Sequence, residues 1–123
     1  MSQNYNQVTL VGRLAKDPEI KRISNTQSKT TFILAVERQY RRPGTAKETD
    51  FIPICLWGRT AEISYQLLKK GSAILVWGRI QVRNYDKDDQ RHWITEVVAE
   101  NFQILDYSKS KEIPPIEPED KPL

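Results

Sequence analysis

The side chains with the most chemical potential in this chain are aromatic rings spaced among arginines. From Gly71 to Tyr85, strand periodicity places Ile74, Val76, Ile80 and Val82 on one side and Leu75, Trp77, Arg79, Gln81, Arg83 and Tyr85 on the other. The first set is core material. The second mixes planar rings with guanidinium groups, which suits a partner that is both anionic and stackable. Single-stranded nucleic acid has those two properties. A solvated face carrying an incidental tryptophan is the competing reading of this strand. The stretch from Asp50 to Trp57 divides the same way, with Ile52, Ile54 and Leu56 against Phe51, Pro53, Cys55 and Trp57.

Covalent and metal chemistry have little to work with. Cys55 and His92 are the only cysteine and the only histidine. An internal disulfide and a multi-cysteine metal site are therefore excluded. Cys55 reads as a small packing residue rather than as a nucleophile paired with His92. No paired carboxylates, nucleophile-base set or phosphate loop stands at usable spacing, so the chain is expected not to be an enzyme and to need no cofactor or metal. Its formal charge of +3 hides an asymmetry. Residues 1–105 carry 16 Lys or Arg against 11 Asp or Glu, whereas residues 106–123 carry 3 against 5. A basic body with a mildly acidic tail suits polyanion binding by the body. No apolar run is long enough to cross a bilayer, and the amino terminus lacks the pattern of a secretory signal, so a cytoplasmic location is expected.

The elements that must hold these residues are mostly strands. Asn6 to Leu14 alternates Val8, Leu10 and Leu14 against Thr9, Val11 and Arg13, with Gly12 marking a bulge or a close approach. Both faces are partly apolar, which points to packing against another subunit. Ile20 to Ile23 fits a short strand. Thr30 to Tyr40 fits a long one, although parity puts Tyr40 on the Phe32 face and exposing it requires a bulge. The basic loop Arg41 to Lys47 suits a mobile arm on a polyanion. Thr60 to Lys70 is the one helix expected, capped by Thr60, with Ile63 and Leu67 forming its apolar stripe and Lys69 and Lys70 at its end. Asp86 to Gln90 is a hairpin tip, and His92 to Leu105 is a final strand. One helix between the third and fourth of five strands implies an all-β OB-fold, a five-stranded Greek-key barrel. Residues 1–105 form that domain. Residues 106–123, with four of the seven prolines, form an extended or disordered tail.

Across residues 5–105 the chain resembles the bacterial-type single-stranded DNA-binding proteins. The resemblance runs through Asn6-Gln-Val-Thr-Leu-Val-Gly-Arg-Leu14, Asp17-Pro-Glu19, Leu56-Trp-Gly58, Ala61-Glu62, Lys70-Gly-Ser72, Gly78 and Thr95-Glu-Val97. It implies a homotetramer that binds single-stranded DNA during replication, recombination or repair, in the cytoplasm and at the nucleoid. By position it assigns base stacking to Tyr40, Phe51, Trp57 and Tyr85. Trp77 stands where family members often have no aromatic, and is counted with the stacking residues as an extension of the track, packing at a subunit contact being the alternative. Phosphate contacts fall to Arg13, Arg38, Arg41, Arg42, Arg59, Arg79 and Arg83, then to Lys16 and Lys47. Ile52 takes a place often held by a histidine near the tetramer contact. The family's acidic, partner-binding tip corresponds only loosely to Glu119, Asp120, Pro122 and Leu123, because Lys121 interrupts it and Leu123 replaces an aromatic. Weak contacts with replication or repair proteins are the most this tail implies. An adaptor that binds protein through the same face, as in primosome-like complexes, and an RNA-binding OB protein are the alternatives.

Overall fold

The computed structural model describes residues 3–39 and 43–106. Six strands and one helix follow one another as β1 (Val8–Leu14), β2 (Glu19–Ser24), β3 (Gln27–Glu37), β4 (Thr49–Trp57), α1 (Gly58–Leu67), β5 (Ala73–Lys87) and β6 (Gln90–Ile104). They hydrogen-bond in the order β1-β5-β6-β4-β3-β2, and β1 also pairs with β3. That second pairing closes the sheet into a barrel. It occurs just past Gly12, where Arg13 and Leu14 lie opposite Ala35 and Leu34. A Cβ on Gly12 would stand 2.4 Å from the Ala35 carbonyl oxygen, so the expected close approach is what this glycine provides.

Every strand except β2, whose six residues are all exposed, sends residues inward. Leu14, Phe32, Leu34, Ile54, Leu56, Ile74, Val76 and Val97 form the buried core. Pro53 lies opposite Ile33 and outside the short β4–β6 pairing at Ile54 and Cys55, so its missing N–H costs no ladder bond on the β6 side. Cys55 is buried, and desolvation followed by the neighbouring Glu96 charge pushes its thiol up from the usual value. It packs rather than reacts.

Five expectations change, four of them local. Glu19–Ser24 is a full strand against β3, which brings the count to six. The helix begins at Gly58, capped by Trp57 in extended conformation with no side-chain bond, and Thr60 lies inside the first turn. Ile63 and Leu67 are exposed, while Ala61, Ser64 and Leu68 are buried. Small residues let the helix backbone close over the barrel, where Thr30 Oγ1 donates to the Ala61 carbonyl at 2.7 Å. Lys69 and Lys70 follow the helix instead of completing it.

The largest difference concerns β5. Ile80 and Val82 are 44% and 56% exposed rather than core. The β5–β6 register slips between Trp77 and Gly78, and beyond it the two strands leave the barrel as a ribbon bonded mainly to itself. Asp88 and Asp89, at φ 55° and 63°, make its two-residue turn, the conformation that matches strand twist. A Cβ on Gly78 would lie 2.1 Å from the Val98 carbonyl oxygen and 2.6 Å from Ala99 Cα. Gly78→Ala is therefore expected to lower the melting temperature by about 5–15 °C, the overpacking cost converted for a domain of this size. A melt within about 2 °C of the parent would show that the base of the ribbon yields freely.

Candidate nucleic-acid interface

The outward face of β4 is aromatic at both ends. Phe51 and Trp57 are 63% and 38% exposed, Pro53 between them is half-buried, and Cys55 is covered. In the ladder Thr31 lies opposite Cys55, Cys55 beside Val98, and Val98 opposite Arg79. Residues in register across a sheet share a face. Arg79, Arg83 and Tyr85 on the ribbon thus continue the surface that holds Phe51 and Trp57. Trp77 also points outward, but on the β1 side of the barrel, flanked by Thr9 and Asn101.

Two rings of this surface are already engaged on one side. Tyr85 is stacked with His92, its ladder partner, at 5.3 Å between centroids and 22° between planes. Lys29 Nζ stands 5.2 Å from the centroid of Trp57, its partner in β4. Both neighbours escape a reading of the sequence, because neither adjacency exists until strand register is known. Trp93, 62% exposed opposite Asn84, lies on the other side of the ribbon and carried no earlier signal beyond its type.

Most of the expected phosphate contacts have internal partners. Arg38 makes a two-pronged contact with Asp50, Nη2 to Oδ1 at 3.0 Å and Nε to Oδ2 at 3.1 Å, and also pairs with Glu48. Hydrogen bonding to Arg38 holds the Asp50 carboxyl below the usual carboxylate range, and the same contact raises the guanidinium. Arg13 donates to the Gly71 carbonyl at 2.8 Å and to Asp106 at 3.1 Å. Lys47 pairs with Glu37 at 3.2 Å, and Arg79 donates to Gln81 at 3.3 Å. Arg83 Nε meets Glu96 at 3.1 Å, where the carboxylate side chain is only 7% exposed. Exposed pairs of this kind contribute about 0–1 kcal/mol, so a phosphate competes with them easily. The Glu96 contact differs because removing one partner strands a buried charge. Among the described residues Arg59 and Lys16 show no ion pair. Tyr40, Arg41 and Arg42, like Glu119, Asp120, Pro122 and Leu123, lie outside the described residues.

A closed barrel with one helix over its end, a projecting hairpin and an aromatic-basic outer face defines the OB-fold class. The model of the "Single-strand binding protein family" matches residues 5–105, and the chain belongs to that family. Single-stranded DNA-binding protein 2 of Clostridium acetobutylicum is 47% identical over 110 residues, covering 88% of this chain and 82% of that protein. The single-stranded DNA-binding protein of Clostridium tetani is 44% identical over 108 residues, 86% of this chain and 74% of its own length. Single-stranded DNA-binding protein 1 of Lactococcus lactis is 43% identical over 107 residues, covering 86% and 71%.

Glu96 and Arg83 join the two strands of the ribbon near its base. Arg83→Ala, which leaves the buried Glu96 carboxylate without its partner, is expected to cost about 1–3 kcal/mol of stability. Amide exchange in residues 79–95 is expected to accelerate more than exchange in β3, and equal acceleration in both would show that the pair serves the whole barrel.

Proposed function

We propose that the chain binds single-stranded DNA with little regard to sequence, and covers strands exposed in replication, recombination or repair. The observation that carries this is the register of one sheet face, on which Phe51 and Trp57 of β4 and Arg79, Arg83 and Tyr85 of β5 lie to either side of the covered pair Cys55 and Val98. The relatives' names agree with it. Bases stack on Phe51, Trp57, Tyr85 and Tyr40. Phosphates exchange for the internal partners of Arg38, Arg79 and Lys47, meet Arg83 through the guanidinium nitrogens that Glu96 leaves open, and bind Arg59, Lys16, Arg41 and Arg42 directly. No catalytic step is part of this reading, and the protein acts in the cytoplasm. Residues 1–105 are the binding domain, and residues 106–123 make weak contacts with other replication or repair proteins.

Each stacked base contributes about 1–3 kcal/mol, a magnitude that comes from OB-folds of this kind rather than from these residues. Titration with a dT oligomer is expected to quench tryptophan emission, and duplex of the same length to compete poorly. The logarithm of affinity is expected to fall with the logarithm of salt by about 0.7 per phosphate contacted. Trp57→Ala with Tyr85→Ala in a folded protein is expected to weaken binding by about a hundredfold or more. Unchanged affinity would move the face to protein recognition, and equal or better competition by matched RNA would move it to RNA.

A second face supports the expected homotetramer. Val11 lies opposite Leu75 and Thr9 opposite Trp77 on the outside of β1 and β5, with Val11 53% and Leu105 46% exposed. Between its two roles, this position favours Trp77 as a subunit contact and leaves Arg13 at the edge of the same face. Ile52 packs against the core cluster from inside the barrel. Light scattering is expected to give four times the 14.3 kDa chain mass, and Trp77→Glu to reduce it. A monomer mass for the parent protein at micromolar concentration would overturn the assembly while leaving DNA binding open.

A further inference from the structure

The β2–β3–β4 part of the sheet holds a charge arrangement that folding alone does not explain. Lys21 lies directly opposite Lys29, and Lys29 directly opposite Trp57. The three side chains form one row across one face. Like charges placed opposite each other in a sheet destabilise it. Neither lysine has an ion pair among the described residues, and Lys29 is partly withdrawn from solvent. Its ammonium is held over the indole, 5.2 Å from the ring centroid. The row borders a cavity of about 270 Å³ lined by Glu19, Ile20, Lys21, Ile23, Lys29, Thr31 and Trp57. Ile20 and Ile23 remain 37% and 51% exposed there.

We propose that this row is a nucleotide subsite, which carries a single strand off β4 and out over β2. It rests on the single-stranded DNA reading given above and extends it to residues outside the aromatic-arginine pattern. One phosphate lies between the Lys21 and Lys29 ammonium groups and relieves their repulsion. Its base takes the face of Trp57 that Lys29 leaves open. The exposed side chain of Ile23, at the apolar side of the cavity, receives the neighbouring base. Glu19 is the one carboxylate in the lining, and it confines the phosphate to the lysine end. Because β2 and the ribbon stand on opposite sides of β4 in the sheet order, the bound strand then crosses the sheet rather than following one strand.

The test uses full-length Lys21→Gln, Lys29→Gln and the double variant, titrated with a dT oligomer over a range of salt. For the double variant, affinity is expected to fall several-fold at low salt and the salt slope by about 0.7, the share of one phosphate. Its melting temperature is expected to stay level or rise, since a like-charge pair has been removed. Lys29→Gln is further expected to alter the emission of Trp57 in the free protein, identified by comparison with Trp57→Phe. An unchanged slope and affinity in the double variant, with the parent protein still binding, would overturn the subsite and leave the general reading intact. A lowered melting temperature with an unchanged slope would show that the lysines serve the fold, and would overturn it equally. Failure of the parent protein to bind any single strand would instead remove the general reading.

Discussion

The architecture depends on one strand serving two neighbours. β1 is bonded to β5 along most of its length and to β3 at its end, and the changeover needs backbone to pass backbone with no side chain between. Gly12 supplies that gap, and Gly78 supplies a second one where β5 passes β6. The two glycines do opposite things to the sheet. At Gly12 the chain is drawn in and the barrel closes; at Gly78 the register slips and two strands are released. Closure, between β1 and β3, makes the core, and release, between β5 and β6, makes the ribbon.

Alternation in the sequence was a good guide to direction and a poor guide to cover. It separated Phe51 and Trp57 from Ile54 and Leu56, and it put Arg79, Arg83 and Tyr85 on a common side, as the ladder shows. It also assigned Ile80 and Val82 to the core. Their direction was right, since they continue the line of Ile74 and Val76, but the barrel ends before it reaches them. A period of two states which way a side chain points and is silent about what lies opposite. The helix went astray for a related reason. Ile63 and Leu67 look like its buried stripe, whereas the space over the barrel end admits only Ala61 and Ser64. Lys29 and His92 were illegible because each meets its ring across a ladder, Lys29 from β3 to β4 and His92 across the hairpin, whose register is set only once the turn is placed at Asp88 and Asp89.

Charge was the least readable property. Summing basic residues treats every arginine as available, yet Arg13, Arg38 and Arg83 each hold a carboxylate. These contacts are not equivalent. Arg38 and Asp50 are both exposed, so their mutual attraction is screened and easily exchanged. Glu96 is buried, so Arg83 is fixed in place while its other N–H donors keep no partner among the described residues. A guanidinium pinned through one nitrogen loses less freedom on meeting a second anion than a free one does.

The turn at the end of the ribbon gives the surface a boundary. Asp88 and Asp89 adopt left-handed backbone that glycine or asparagine would hold with less strain, and Asp86 stands beside them, its pairing with Arg91 long at 3.6 Å. Lys87 and Arg91 stand among these three carboxylates, so the tip carries a net charge of only −1, three acidic against two basic side chains. The basic character of β5 at Arg79 and Arg83 therefore ends before the turn, and the ribbon changes sign along its length.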